Sequence, residues 1–208
     1  MMIAASLHTA VAQQGMVDKR SQTAFEWPEF RSARIYLADL RFVRTEANVF
    51  LKNSTLCYMD KDRVMELNLG NVLSIDFDSV QYLPLQGKQV ARVVAVKDGR
   101  KLLRLRTIDL DKLRSETQGG DNLPFFEIED LNVFMEIDGD KEANVKQYPL
   151  RDRYYYMSGD KLIEANETKF KKHLKPELRE KFRETMLNKY WSWSDEHSLT
   201  LLLDFIKD

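Results

Sequence analysis

A change of hydrophobic period constrains this 208-residue chain more than any other feature. From Ala33 to about Glu142, apolar and polar residues alternate in short runs, the period-two pattern of strands with one buried face. Runs at 34–43, 49–58, 64–69, 72–77 and 82–85 lead to one at 90–96, and a turn is expected at Lys52-Asn53-Ser54. Lys97-Asp98-Gly99-Arg100 then separates 90–96 from its return at 101–108. Asp-Gly between two apolar runs is the strongest short hairpin signal a sequence carries. Strands of this length, with turns this frequent, suit a small antiparallel barrel, roll or sandwich rather than a parallel sheet. A Gly/Asn/Gln-rich stretch at 115–124 reads as a loop or linker. Alternation resumes over 125–165, where Tyr154-Tyr155-Tyr156-Met157 meets Lys161-Leu162-Ile163 across Ser158-Gly159-Asp160.

After Ala165 the period becomes helical. Asn166 is a good N-cap for a helix over 167–174, and Pro176 fits the first turn of the next, where its missing N–H costs nothing. Leu178, Phe182, Met186 and Tyr190 fall four apart as one apolar stripe. Ser194 or Asp195 can cap a last helix whose face is Leu199, Leu202, Leu203 and Ile206. The chain is therefore expected to be α+β, an antiparallel β-rich body followed by a C-terminal helical cap. In order, it divides into a signal-peptide remnant (1–12), an N-terminal extension (13–32), a β-rich domain (33–114), a loop or linker (115–124), further β hairpins (125–165) and C-terminal helices (166–208).

The first residues bear on compartment. Ala10-Val11-Ala12 closes a mostly apolar, small-residue run, and Gln13-Gln14-Gly15 begins polar sequence, which is how a secretory signal ends. No Lys or Arg precedes Lys19, so the usual positive start of a signal is missing. A mature start near Gln13 places the protein outside the cytoplasm, periplasmic or secreted; a start at Met1 makes it a cytoplasmic accessory domain instead. No later window approaches the roughly 18 apolar residues of a membrane span, so no transmembrane segment is expected. Cys57 is alone, which excludes an intramolecular disulfide and a Cys-based metal site and fits a small buried apolar residue. With 32 Lys/Arg against 33 Asp/Glu, the net charge of −1 argues against nucleic acid as a partner.

Candidate chemistry is sparse. Three Ile-Asp-x-Asp tetrads end at Asp76/Asp78, Asp109/Asp111 and Asp138/Asp140. Residues two apart on a strand point the same way, so each tetrad offers two carboxylates together. Converging pairs can bind Ca²⁺ or run glycosidase-type acid/base chemistry, the basis for an alternative reading as a secreted hydrolase on glycan or peptide. Asp138 to Asn144 echoes an EF-hand loop but has Ala143 at the sixth position and Pro149 at the twelfth. Asp138 and Asp140 remain as candidate cation ligands. Neither His173 nor His197 sits in a catalytic signature, and no P-loop, G-x-G-x-x-G, G-x-S-x-G or H-E-x-x-H occurs. No catalytic residue and no cofactor is predicted. Tyr155, Trp191 and Trp193 are candidates for stacking on sugar rings or a peptide; the alternative is that they seal the sheet against the helical tail.

The aromatic hairpin around Tyr154-Tyr155-Tyr156, the Lys-rich short helices, the Trp/Ser/Asp break and the closing Leu201-Leu202-Leu203-Asp204-Phe205-Ile206 follow a β-rich body with a Gln-Gln start. In this organisation the chain resembles the uncharacterised exported proteins of Bacteroidetes-type bacteria. The resemblance implies export and transfers no functional residue. The expected role is a non-catalytic binding or interaction protein associated with the cell envelope, whose partner is an envelope protein or glycan.

Overall fold

The computed structural model describes residues 18–116 and 147–206, an antiparallel β body with short C-terminal helices. The expected signal remnant and the run of expected strand pattern at 125–137 lie outside the described residues. The strands are β1 (Arg20–Ser21), β2 (Arg31–Leu37), β3 (Phe42–Phe50), β4 (Thr55–Asp60), β5 (Arg63–Glu66), β6 (Val72–Phe77), β7 (Val80–Pro84), β8 (Val90–Lys97), β9 (Arg100–Ile108), β10 (Tyr148–Ser158) and β11 (Lys161–Glu164). They form one sheet in the order β1-β10-β9-β8-β7-β6-β2-β3-β4-β5, with β11 also on β10.

Two-residue turns set much of this register. Asp98 (φ 48°) and Gly99 (φ 76°) are both left-handed, as a type I′ hairpin requires, so the Asp-Gly signal folds as expected. The first hairpin departs from expectation. Residues 34–43 do not form one strand: the chain reverses between Leu37 and Phe42, with Leu40 at φ 66°. No glycine marks this turn. The Asp39 carboxylate takes its place by accepting from the Arg41 amide at 3.1 Å, an Asx-type local bond.

The sheet is strongly curled, and β3 is its corner. Phe42 to Ala47 pairs with β2, whereas Ala47 to Phe50 pairs with β4, so Ala47 faces both Arg31 and Tyr58. A strand that changes partner midway turns the sheet direction. The curl brings the β3–β4 turn back over the far strands: Ile108 N donates to Leu51 O at 2.7 Å, and Val90 N to Ser54 O at 2.8 Å. One row of side chains then runs in register across seven strands, Val43–Ile35–Ile75–Tyr82–Arg92–Arg104–Tyr154. Partners in register share a face, so this row defines the concave side.

Three apolar clusters pack against the sheet, the first two on that side. Ala33, Ile35, Val49, Ile75, Phe77 and Tyr82 pack under Trp27. Leu102, Tyr154 and Tyr156 pack under Phe170, Phe182, Leu199, Leu202 and Phe205 from the C-terminal segment. Ile108 and Tyr148 join Ala24, Phe50, Leu51, Cys57 and Leu113. Cys57 is fully buried, and burial, with Glu66 nearby, pushes its thiol up to about 12.

The helical part is more broken than its periodicity suggests. It comprises α1 (Leu110–Glu116), α2 (Glu167–Phe170), α3 (Arg179–Met186) and α4 (Glu196–Leu201), with 3₁₀ turns at 171–173, 176–178 and 202–205. Asn166 caps α2 by accepting from Lys169 N, and Asp195 caps α4 by accepting from Ser198 N. The first helix replaces the end of the expected β domain and is entered through Asp109, whose carboxylate accepts from Lys112 N at 3.2 Å. Because α3 ends at Met186, Tyr190 leaves the stripe and is 71% exposed. Among the described residues no helix is long and apolar enough to cross a membrane.

Candidate functional site

Two of these clusters flank a polar seam on β9. On β9, Leu102 belongs to the helix-capped core and Ile108 to the N-terminal one, while Arg104 and Arg106 lie between them on the same face. Arg104 reaches Glu196 at 2.8 Å and Glu26 at 3.3 Å; Arg106 reaches Asp152 at 2.8 Å and Glu26 at 3.5 Å. Lys19 closes the network onto Asp152 at 2.8 Å. The side chains of Arg104, Glu26 and Asp152 are all more than nine-tenths buried. Burial alone would raise the Asp152 carboxyl, but hydrogen bonds from Arg106 and Lys19 outweigh it and hold it below the usual carboxylate range. Buried charges survive only when paired, and here the pairing ties the N-terminal segment and α4 to the middle of the sheet. The sequence signal was present but easily passed over: two arginines on the inward period of an apolar strand, Leu102-Leu103-Arg104-Leu105-Arg106.

Those expected site residues that are described fall elsewhere. Asp138 and Asp140 lie outside the described residues. Asp76 accepts from Gln81 at 3.0 Å and Asp78 pairs with Arg31 at 3.2 Å, beside the β6–β7 turn. Asp109 and Asp111 pair instead with Arg151 at 2.6 and 3.3 Å, at the entry to α1. The two described pairs thus sit on different turns, each holding its own arginine. Among the described residues no group of three or more His, Cys, Asp or Glu is placed to hold a metal ion.

Tyr155 projects from the convex face of β10 and is half-buried against Ala91, Leu103 and Leu105. Trp191 and Trp193 meet edge to face at 5.5 Å and pack against the helix-capped core, with Trp193 also against Phe170 at 6.1 Å. Both indoles are half-buried at the junction of sheet and helices.

Apolar surface is exposed at the β2–β3 hairpin. Leu40 is 92% exposed, Phe42 51%, and Val43 and Leu73 about half exposed at the same sheet end. Phe42 is in register with Tyr36, ring to ring at 6.1 Å, on the convex face opposite Ile35. Two guanidiniums share the Phe42 ring, Arg34 at 5.3 Å and Arg44 at 5.6 Å. These arginines are direct cross-strand partners, an unfavourable placement for like charges. Neither has a carboxylate within ion-pair distance among the described residues. The hairpin therefore presents an aromatic and aliphatic surface rimmed by cations, chemistry suited to a partner surface with apolar and anionic character. Sequence reasoning missed it because the turn that creates it was unmarked.

Compared with family models, curated proteins and solved structures, the chain matches none.

Proposed function

We propose that the protein is an exported, non-catalytic binding or interaction protein that engages an envelope protein or glycan through the convex face of the β2–β3 hairpin. The observation that carries this is the exposed Leu40 and Phe42 with Arg34 and Arg44 around the phenyl ring. Large apolar side chains on the hairpin contribute contact area, and arginines without a carboxylate at ion-pair distance add steering and orientation. The A-x-A terminus supports export. The carboxylates of Asp78, Asp109 and Asp111 are bound by arginines and that of Asp76 by the Gln81 amide, which favours binding over acid/base chemistry.

The test is co-sedimentation with the purified envelope fraction of the producing cells, together with a glycan array. Wild type should bind, and Phe42→Ser and Leu40→Ser should each weaken binding at least tenfold with an unchanged circular dichroism spectrum. Equal binding by wild type and both variants would remove the hairpin from the reading. Export is checked separately: the N-terminus of protein made in its own host should lie near Gln13.

A further inference from the structure

Three side chains of the row Tyr82–Arg92–Arg104–Tyr154 offer hydrogen-bond donors with no partner among the described residues. Arg104 is 7% exposed, and its two terminal nitrogens are engaged by Glu26 and Glu196, yet its Nε is buried without a partner among the described residues. Arg92, half-buried, forms no ion pair or hydrogen bond there. The Tyr82 hydroxyl, on a residue only 3% exposed, makes no hydrogen bond there either. The charges of the seam are otherwise balanced: Lys19, Arg104 and Arg106 pair with Glu26, Asp152 and Glu196, which leaves Arg92 as the surplus cation among the described residues there. Arg92 and Arg104 are direct cross-strand partners, and Tyr82 is the partner of Arg92. Burial and the nearby Glu26 carboxylate push the Tyr82 hydroxyl up, partly offset by the Arg104 and Arg92 guanidiniums, so the hydroxyl stays protonated as a donor.

A half-buried guanidinium with no partner among the described residues, beside a buried, unsatisfied Nε, calls for an anion. We propose that Arg92, Arg104 Nε and the Tyr82 hydroxyl form a binding site for a single oxyanion, a carboxylate or phosphate group, on the concave face. A planar guanidinium fork matches either group, and the hydroxyl supplies a third donor. The bound anion neutralises the surplus charge and satisfies the orphan nitrogen. Phe42 lies on the opposite face, so this site stands or falls independently of the hairpin surface.

The experiment titrates ¹⁵N-labelled full-length chain with sodium phosphate and, separately, sodium acetate, with ionic strength held constant by chloride. The Arg Nε–Hε resonances and Tm are followed together. At least one anion should move the Arg104 Nε–Hε resonance saturably and raise Tm, and whichever does so names the group. Arg92→Gln should abolish both responses, Arg92→Lys should weaken them by losing the fork, and Arg151→Gln on the surface should leave them intact. An Arg104 resonance that neither anion moves, or an Arg92→Gln response equal to wild type, overturns the proposal. The Arg92→Lys variant keeps the test decisive should Arg92→Gln fold poorly.

Discussion

Single residues in the seam carry unequal weight. Among the described residues, Glu26 is the one carboxylate that pairs with both Arg104 and Arg106. Removing it leaves two buried guanidiniums short of a partner, and breaking a buried pair on one side costs about 3 kcal/mol or more. Glu26→Ala should therefore lower stability by about that amount in urea titrations, and Glu26→Ala/Arg104→Met should recover part of the loss, because the orphaned charge goes with its partner. Asp152 gives the seam a pH dependence. Its carboxyl is held below its ordinary value, so the stability it contributes is present above the unfolded-state value near 3.9 and is lost as pH falls through the lower folded value. The Tm gap between wild type and Asp152→Asn should be wide at neutral pH and should narrow below about pH 4. A constant gap down to acid would show that the carboxylate charge contributes nothing there.

Among elements, hairpins and caps differ in how openly the sequence announces them. The β8–β9 turn needs left-handed backbone at both positions, and a Cβ at Gly99 would meet no atom within 4 Å. The penalty for Gly99→Val is therefore conformational rather than steric crowding, about 1–2 kcal/mol, measurable by thermal denaturation with the hairpin register intact. The β2–β3 turn uses Leu40 at φ 66° and an Asp39 side chain instead, and the period-two alternation continues through it. The helical stripe was legible through Phe182, Leu199, Leu202, Leu203 and Ile206, all buried. What it could not show was segmentation: short pieces with 3₁₀ joints keep the same spacing locally while following a curved sheet.

Over the whole molecule, β8, β9 and β10 serve several cores at once. Val90 packs with the Trp27 cluster and Leu102 with the helix-capped one, while Ile108 lies in the third; the seam lies among them. The body and the helical cap should accordingly unfold together. Fluorescence of Trp27 in a Trp191→Phe/Trp193→Phe background, of Trp191 and Trp193 in a Trp27→Phe background, and far-ultraviolet circular dichroism should give coincident urea transitions. Separate midpoints would show the cap to be an independent unit.

The sequence by itself determined the α+β order, the Asp-Gly hairpin, the buried lone cysteine, the Asn166 and Asp195 caps and the apolar helical face, because each follows from local periodicity or backbone preference. Only the tertiary structure decided which strand stands beside which. Pairing β2 with β6 and bending β3 at Ala47 are long-range choices, set by burying one face of a curled sheet. From that register come the Tyr82–Arg92–Arg104–Tyr154 row and the Arg34–Arg44 pair around Phe42. Neither candidate site could be read before the strands were in place, since residues ten to fifty positions apart become neighbours only through pairing.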